Sequence, residues 1–339
     1  MRFPTMAWML MVSCVVVGEN FAFGQTPATQ PTTRGAARGA GRGGGRGPIS
    51  SSPREKLPFT NGDPAAINGA LPTLFITGDS TAAKNNDADH RGWGAVLVDY
   101  FDAGKINLVN MAQGGASFPS YYASSWPRVI AAVRAGDFVI VEFGHNGGQL
   151  QGMGPETRPG QLRTGMGPMS VVHTYGWYVR TFIQDVRAKG ATPIISSTTV
   201  RNMWTNPNGT FRDGTLTQQS PGYDPAADRI ERGMGNLLPT GERTMLVWAR
   251  QVSAEEKTAF VDHSDITADV FEKLGRVAVQ KYFPADHTHT STDGGVLNAE
   301  AFLAGLKGVA DPLGTQTLID DLNEKGKAIA AYKPVQGSR

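Results

Sequence analysis

The sequence predicts a parallel α/β fold: one sheet of five strands with helices on both faces. Three observations lead there. The chain has 339 residues, of which 40% are hydrophobic, enough for one large domain with a buried core. From about residue 70 onward, short apolar runs alternate with stretches of helical period. The short runs are continuously apolar rather than alternating, as strands covered on both faces require.

The elements follow in chain order. Residues 74–77 (LFIT) read as the first strand. Residues 92–102 (GWGAVLVDYFD) have helical spacing that puts Trp93, Val96, Leu97 and Tyr100 on one face, with Trp93 a core contact. Residues 107–111 give the second strand. A helix over 124–135 follows, with Pro127 near its first turn, where proline is tolerated. Residues 138–143 (FVIVEF) are strongly β-branched and form the third strand. A helix over 171–189, a strand over 193–199, a helix over 240–257 and a strand over 259–262 come next. Helices over 266–282 and 294–306 complete the pattern. Two interruptions, 147–169 and 202–239, are rich in Gly, Pro and Asn, and long irregular segments of this kind often wall functional sites.

The first 24 residues read as a signal peptide: Arg2, then an almost wholly apolar stretch from Met6 to Val17, then small residues near Gly24. The stretch is short for a membrane span and no later one reaches that length, so stable membrane insertion is not expected. The destination is outside the cytoplasm, secreted or periplasmic. Cys14 lies inside this segment. Apolar residues continue past it, which argues against lipoprotein anchoring there. Cleavage would remove this one cysteine, and with it disulfides, thiol nucleophiles and thiolate metal sites. Residues 25–58 form a Gly/Arg-rich linker with almost nothing to bury, expected to be disordered. Setting aside Arg34, Arg38, Arg42 and Arg46 takes the formal charge from +2 to −2, so the folded part has no basic field for nucleic acid.

In parallel sheets the ligand site lies beyond the carboxyl ends of the strands. After the first strand comes Gly78-Asp79-Ser80; after the second, Gly114-Gly115; after the third, Gly144-His145-Asn146. Near the end of the chain stands Asp286-His287-Thr288-His289. A serine at a strand end is either a helix N-cap or a nucleophile. As a nucleophile it needs a base, and the base needs a carboxylate to fix its tautomer. Asp286-x-x-His289 can present both from one turn, while Gly115 and Asn146 can offer donors to an oxyanion. Metal binding by Asp286, His287 and His289 is the lesser alternative, since no HExxH and no third nearby histidine supports it. No metal or cofactor is expected.

Taken together, GDSTA (78–82), Asn110-x-Ala112-x-x-Gly115-x-Ser117, EFGHN (142–146) and DHTHT (286–290) resemble the blocks of the SGNH (GDSL-type) hydrolases, and within them the rhamnogalacturonan acetylesterases. Phe283 and Gly92-Trp93-Gly94 fit the same subfamily. The likeness spans about residues 72–308 and implies a flavodoxin-like three-layer α/β/α catalytic domain over 59–339. It implies Ser80 as nucleophile, His289 as base, Asp286 as its orienting acid, and an oxyanion hole of Ser80 N–H, Gly115 N–H and the Asn146 side chain. The chain departs from the subfamily at Ala116, usually Arg, and Gly147, usually Asp, which bears on substrate preference. The implied activity is removal of acetyl groups from an acetylated polysaccharide or oligosaccharide, rhamnogalacturonan or pectin first, xylan second. The alternatives are a lipolytic or short-acyl esterase of the same superfamily, and a non-catalytic carbohydrate-binding protein on this fold. For sugar contacts, Trp204 in a polar loop is the preferred wall, with Arg201 beside it, and Tyr122 and His287 are further candidates; Tyr121 and Trp126 are aromatics near strand ends or loops, while Trp177, inside a helix, is read as a core-packing residue.

Overall fold

In a computed structural model the continuous apolar runs become one parallel sheet. Its strands are β1 (Thr73–Gly78), β2 (Asn107–Asn110), β3 (Phe138–Glu142), β4 (Thr192–Ser196) and β5 (Ala259–Val261). The spatial order is β2-β1-β3-β4-β5, and all four neighbouring pairs are parallel. The chain leaves β1, adds β2 on one side, then crosses back to place β3 on the other. The order therefore reverses between β2 and β3, around the end of β1, where open α/β sheets bind ligands. The structure describes residues 67–85, 87–150, 153–157, 161–163, 170–205, 211–213, 228–309 and 313–333. The expected signal peptide and linker lie outside them.

Alternate residues of each strand feed opposite cores. Phe75, Val139, Val141 and Ile195 point to one face, packed under α1 (Phe118–Ser124), α2 (Trp126–Ala132), α3 (Tyr175–Ala188) and α4 (Thr244–Glu255). Leu74, Ile76, Ile140 and Ile194 point to the other, packed against Trp93 and against Ala299, Phe302, Leu303 and Leu306 of α6 (Thr292–Gly308). After the last strand, α5 (His263–Leu274) follows β5 directly, capped by the Asp262 side chain. The inner strands β1, β3 and β4 are buried on both faces, as the continuous apolar pattern required, while the edge strand β2 is only partly buried.

The helix expected over 92–102 is α-helical only over Trp93–Val96 and continues as a 3-10 turn to Tyr100, the strand expected over 193–199 ends at Ser196, and three further differences have a local cause. A helix begins at Phe118 rather than at 124, because Ser117 and Ser120 form a capping box with Pro119 in the first turn. Residues Ser170–Val172 are a strand paired with Gln161–Arg163, not the start of a helix; α3 starts only where the Thr174 hydroxyl caps it. The helix expected over 266–282 stops at Gly275, whose φ of 83° no helix continues. Among the described residues no helix is long and apolar enough to cross a membrane.

Candidate active site

Ser80 sits two residues beyond the β1–β3 pairing, which ends where Gly78 faces Glu142. It does not cap a helix. The turn after it is closed by Asp79, whose carboxylate accepts from the Thr81 N–H at 3.0 Å and whose carbonyl accepts from the N–H of Ala82 and Ala83. Ser80 is left half-buried with its hydroxyl free to find another partner. That partner is His289: Oγ lies 2.8 Å from Nε2.

His289 is carried by an irregular segment before α6. Asp286 Oδ1 accepts from the N–H of Thr288 at 2.6 Å and of His289 at 2.8 Å, curling the chain so that Asp286 Oδ2 meets His289 Nδ1 at 2.7 Å. The segment is tied down on both sides, by Arg91 N–H to Thr290 O at 2.7 Å and by Asn202 N–H to His287 O at 2.7 Å. Partial burial pushes the Asp286 carboxyl up, but the hydrogen bonds from His289 and Thr288 outweigh it and bring it down to about 2. A carboxylate stays charged there across the neutral range and holds the imidazole proton on Nδ1.

The segment that carries Gly115 is tied to the end of β1, where Gln113 N–H donates to Gly78 O at 3.0 Å. Gln113 to Ala116 form a turn closed by Ala116 N–H to Gln113 O at 3.2 Å, with Gly115 third at φ 72°. That position of a type II turn takes glycine for its positive φ. Neither the Gly115 N–H nor the Ser80 N–H makes a hydrogen bond among the described residues. The Asn146 amide donates one hydrogen to Ala116 O at 3.1 Å, which orients it and leaves the second available. Gly144, two residues earlier, is required by space: a Cβ would lie 2.6 Å from Thr198 Cγ2.

Beneath the serine lies a buried polar layer. Asp79 and Glu142 are both fully buried. Glu142 accepts from Trp93 Nε1 at 2.5 Å and from Thr199 N–H at 3.3 Å. The Thr81 hydroxyl stands between the two acids, 2.8 Å from Asp79 Oδ1 and 3.2 Å from Glu142 Oε1. Asp79 Oδ2 accepts from His145 N–H at 3.2 Å. Burial, reinforced by the charge of Asp79, raises the Glu142 carboxyl well above the usual carboxylate range, while hydrogen bonds from Trp93, Thr199 and Thr81 pull the other way. Burial also lowers His145 to about 4, so it stays neutral. In the sequence all four stand only as letters of the GDSTA and EFGHN blocks.

The sugar-wall expectation needs correcting. Trp204 is fully buried, its indole N–H bound to Asn202 Oδ1 at 2.7 Å and its ring packed with Val200, Phe271 and Phe283, so it offers no face to a sugar. A tryptophan in a polar sequence looked exposed, but the Met203–Thr205 strand turns its ring onto α5. Tyr121 and Trp126 are also core residues, and Trp93 is buried as expected. Tyr122 remains at the surface, 36% exposed, edge-on to the half-buried Trp177. Arg201 is half-buried and donates from Nη2 to His145 O at 3.2 Å, and His287, two residues before His289, is half-buried. One neighbour escaped the sequence reading: the ring of His90 stands 5.5 Å from that of His289. The signal was legible, since Asp87-Ala-Asp-His90 repeats the Asp-x-x-His spacing of Asp286 and His289.

No protein-family model matches the chain. Among curated proteins, it is 33% identical over 242 residues to a rhamnogalacturonan acetylesterase of Emericella nidulans, covering 68% of this chain and 83% of that protein. The chain belongs to the rhamnogalacturonan acetylesterase family. It is therefore a carboxylic ester hydrolase, and the resemblance drawn from GDSTA, EFGHN and DHTHT is borne out. A second member of the family, from Bacillus subtilis, is 26% identical over 191 residues, covering 56% of this chain and 73% of that one. Among solved structures, a Bacillus subtilis protein aligns with TM-score 0.49 and 19% identity, over 70% of this chain and 56% of its own. An acetylxylan esterase from Geobacillus stearothermophilus aligns with TM-score 0.41 and 16% identity, over 68% and 92%.

Proposed function

We propose that this protein removes acetyl groups from plant cell-wall polysaccharide through an acetyl-serine intermediate. The observation that carries the reading is the continuous line Ser80 Oγ, His289 Nε2, His289 Nδ1, Asp286 Oδ2, with steps of 2.8 and 2.7 Å, beside the unengaged N–H groups of Ser80 and Gly115. Ser80 attacks the acetyl carbonyl as His289 takes its proton. The tetrahedral oxyanion collects hydrogen bonds from Ser80 N–H, Gly115 N–H and Asn146 Nδ2. The sugar alkoxide leaves with the proton from His289. A water activated by the same histidine then releases acetate. Asp286 orients the base and stabilises its charged form without taking the proton itself.

Rhamnogalacturonan or another pectic chain is the first substrate class, because the relatives bear that activity in their names. Two positions shape the choice. Where the subfamily usually has arginine, Ala116 is buried and gives its carbonyl to Asn146. Where it usually has aspartate, a Cβ on Gly147 would stand 3.0 Å from Met245 Cε, so an apolar thioether borders the place of a carboxylate. The first change removes a cation and so weakens the attraction for a strongly acidic pectic chain; the second removes an anion and so acts the other way. Residues 1–24, read as a signal peptide, would deliver the enzyme to such polymers outside the cytoplasm.

The test compares acetate release by wild type and Ser80→Ala on 4-nitrophenyl acetate, acetylated pectin and acetylated xylan. Release by wild type and none by the variant is expected, with pectin the better polymer. Equal release by both proteins would remove Ser80 from its role. No release by either would favour a binding protein.

A further inference from the structure

We propose that a divalent transition-metal ion binds across His90, Asp286 and His289 and reversibly switches the esterase off. Among the described residues these three side chains bring one ligand atom each within 4.8 Å of one another. The sequence alone lacked a third histidine for a metal site; the fold supplies it from 196 residues upstream of Asp286. Zn²⁺ bonds of roughly 2.0–2.2 Å to imidazole and carboxylate put tetrahedral ligands about 3.3 Å apart, so the present separation needs a closure of at most about 1.5 Å. All three side chains can make that movement. They are 36%, 39% and 27% exposed and stand outside the strands and long helices.

The arrangement around His90 has no part in the line from Ser80 to Asp286, yet it is built like a metal ligand. Asp87 Oδ2 lies 2.6 Å from His90 Nδ1, and Asp87 Oδ1 accepts from Asp89 N–H at 2.9 Å. A carboxylate on Nδ1 holds the proton there and leaves the Nε2 lone pair for a metal, the usual support behind metal-bound histidine. Two imidazoles and one carboxylate select Zn²⁺, Co²⁺, Ni²⁺ or Cu²⁺ over Ca²⁺ and Mg²⁺, which prefer all-oxygen shells. The inhibitory consequence rests on His289 being the base: an imidazole coordinated to a cation cannot take the proton of Ser80.

The experiment measures binding and turnover separately. Purified full-length protein is titrated with Zn²⁺ by calorimetry, and 4-nitrophenyl acetate turnover is followed at buffered free Zn²⁺, each for wild type, His90→Ala and Asp87→Asn. One equivalent should bind wild type and reduce turnover more than tenfold, EDTA should restore it, and Ca²⁺ or Mg²⁺ at the same concentration should do neither. His90→Ala should keep zinc-free turnover within about twofold while requiring at least tenfold more Zn²⁺ for half-inhibition. Asp87→Asn should weaken binding by roughly 10–100-fold, the usual effect of removing such a support. Equal zinc sensitivity in wild type and His90→Ala, or no binding to wild type, overturns the site. Zinc binding that depends on His90 in a protein with no esterase activity would uphold the metal site while defeating the proposed reaction, so the two readings fail separately.

Discussion

The site has two polar layers with opposite surroundings. The outer one, Ser80, His289 and Asp286, is half-exposed; the inner one, Asp79, Thr81, Glu142 and His145, is sealed under it. Their carboxyls show the difference. Hydrogen bonds win over partial burial at Asp286 and lower it, whereas burial and a neighbouring charge win over three donors at Glu142 and raise it. The outer acid is placed to carry charge, the inner one to keep a proton. The lesson is a division of labour: the outer layer should govern rate with little effect on stability, and the inner layer stability before rate.

The largest expected effect is on rate alone. Asp286→Asn keeps the shape of the turn but presents an amide to His289 Nδ1, favouring the wrong tautomer. The kcat should fall on the order of 10⁴-fold, with the melting temperature falling less than in a variant of the sealed inner layer. A large fall in melting temperature would break the division, because it would make the outer acid a structural one. Asn146→Ala comes next. In the proposed reaction it removes one oxyanion donor, and it should lower kcat by about 10²–10³-fold with KM little changed. Full activity in that variant would remove Asn146 from the oxyanion hole.

The inner layer should respond the other way. Glu142→Ala strands the Trp93 indole N–H and the Thr199 N–H in a fully buried site. Each buried donor left unsatisfied costs about 1–3 kcal/mol, so the variant should melt several degrees lower or fail to fold. Thr81→Val, which removes only the hydroxyl between the two acids, should fold and lose less stability. A folded Glu142→Ala protein with wild-type melting and a collapsed kcat would place the inner acid in the chemistry instead.

Much of this was legible in the sequence, and the reasons are physical. Short apolar runs bounded by turn residues read as buried strands, which β1, β3 and β4 are, and the turns after β1, β2 and β3 carry Ser80, Gly115 and Asn146 because strand ends are where a parallel sheet exposes backbone. Asp286 and His289 share one turn, so their spacing alone suggested a pair. What the sequence hid depends on contacts distant in the chain. The first turn of α1 is set by Ser117 and Ser120 rather than by apolar period. Trp204 has polar neighbours in sequence but apolar ones in space, from α5 and Phe283. Glu142 ends an otherwise apolar strand, and nothing in FVIVEF says that Trp93, Thr81 and Thr199 converge on it. His90 became a neighbour of His289 only once Arg91 paired with Thr290.

The smallest effect separates the layers by pH. The folded Glu142 carboxyl is raised from an ordinary value of 4.5 up to about 8, so the fold favours its protonated form. Its contribution to stability is fully present below about 4.5 and is lost as pH rises through about 8. His145 runs oppositely: burial lowers it from 6.5 to about 4, so its contribution is present above 6.5 and is lost as pH falls through about 4. Glu142→Gln has no proton to release. It loses one acceptor, since an amide nitrogen cannot take the Thr199 N–H, and should melt slightly lower than wild type at pH 5. As pH rises to 9 the wild-type melting temperature should decline toward that of the variant or below it, while the acid limb set by His145 stays the same in both. Melting curves at five pH values decide the matter. Parallel declines on the alkaline side would show that Glu142 is not the group that holds the proton, and the contrast between the layers would then rest on packing alone.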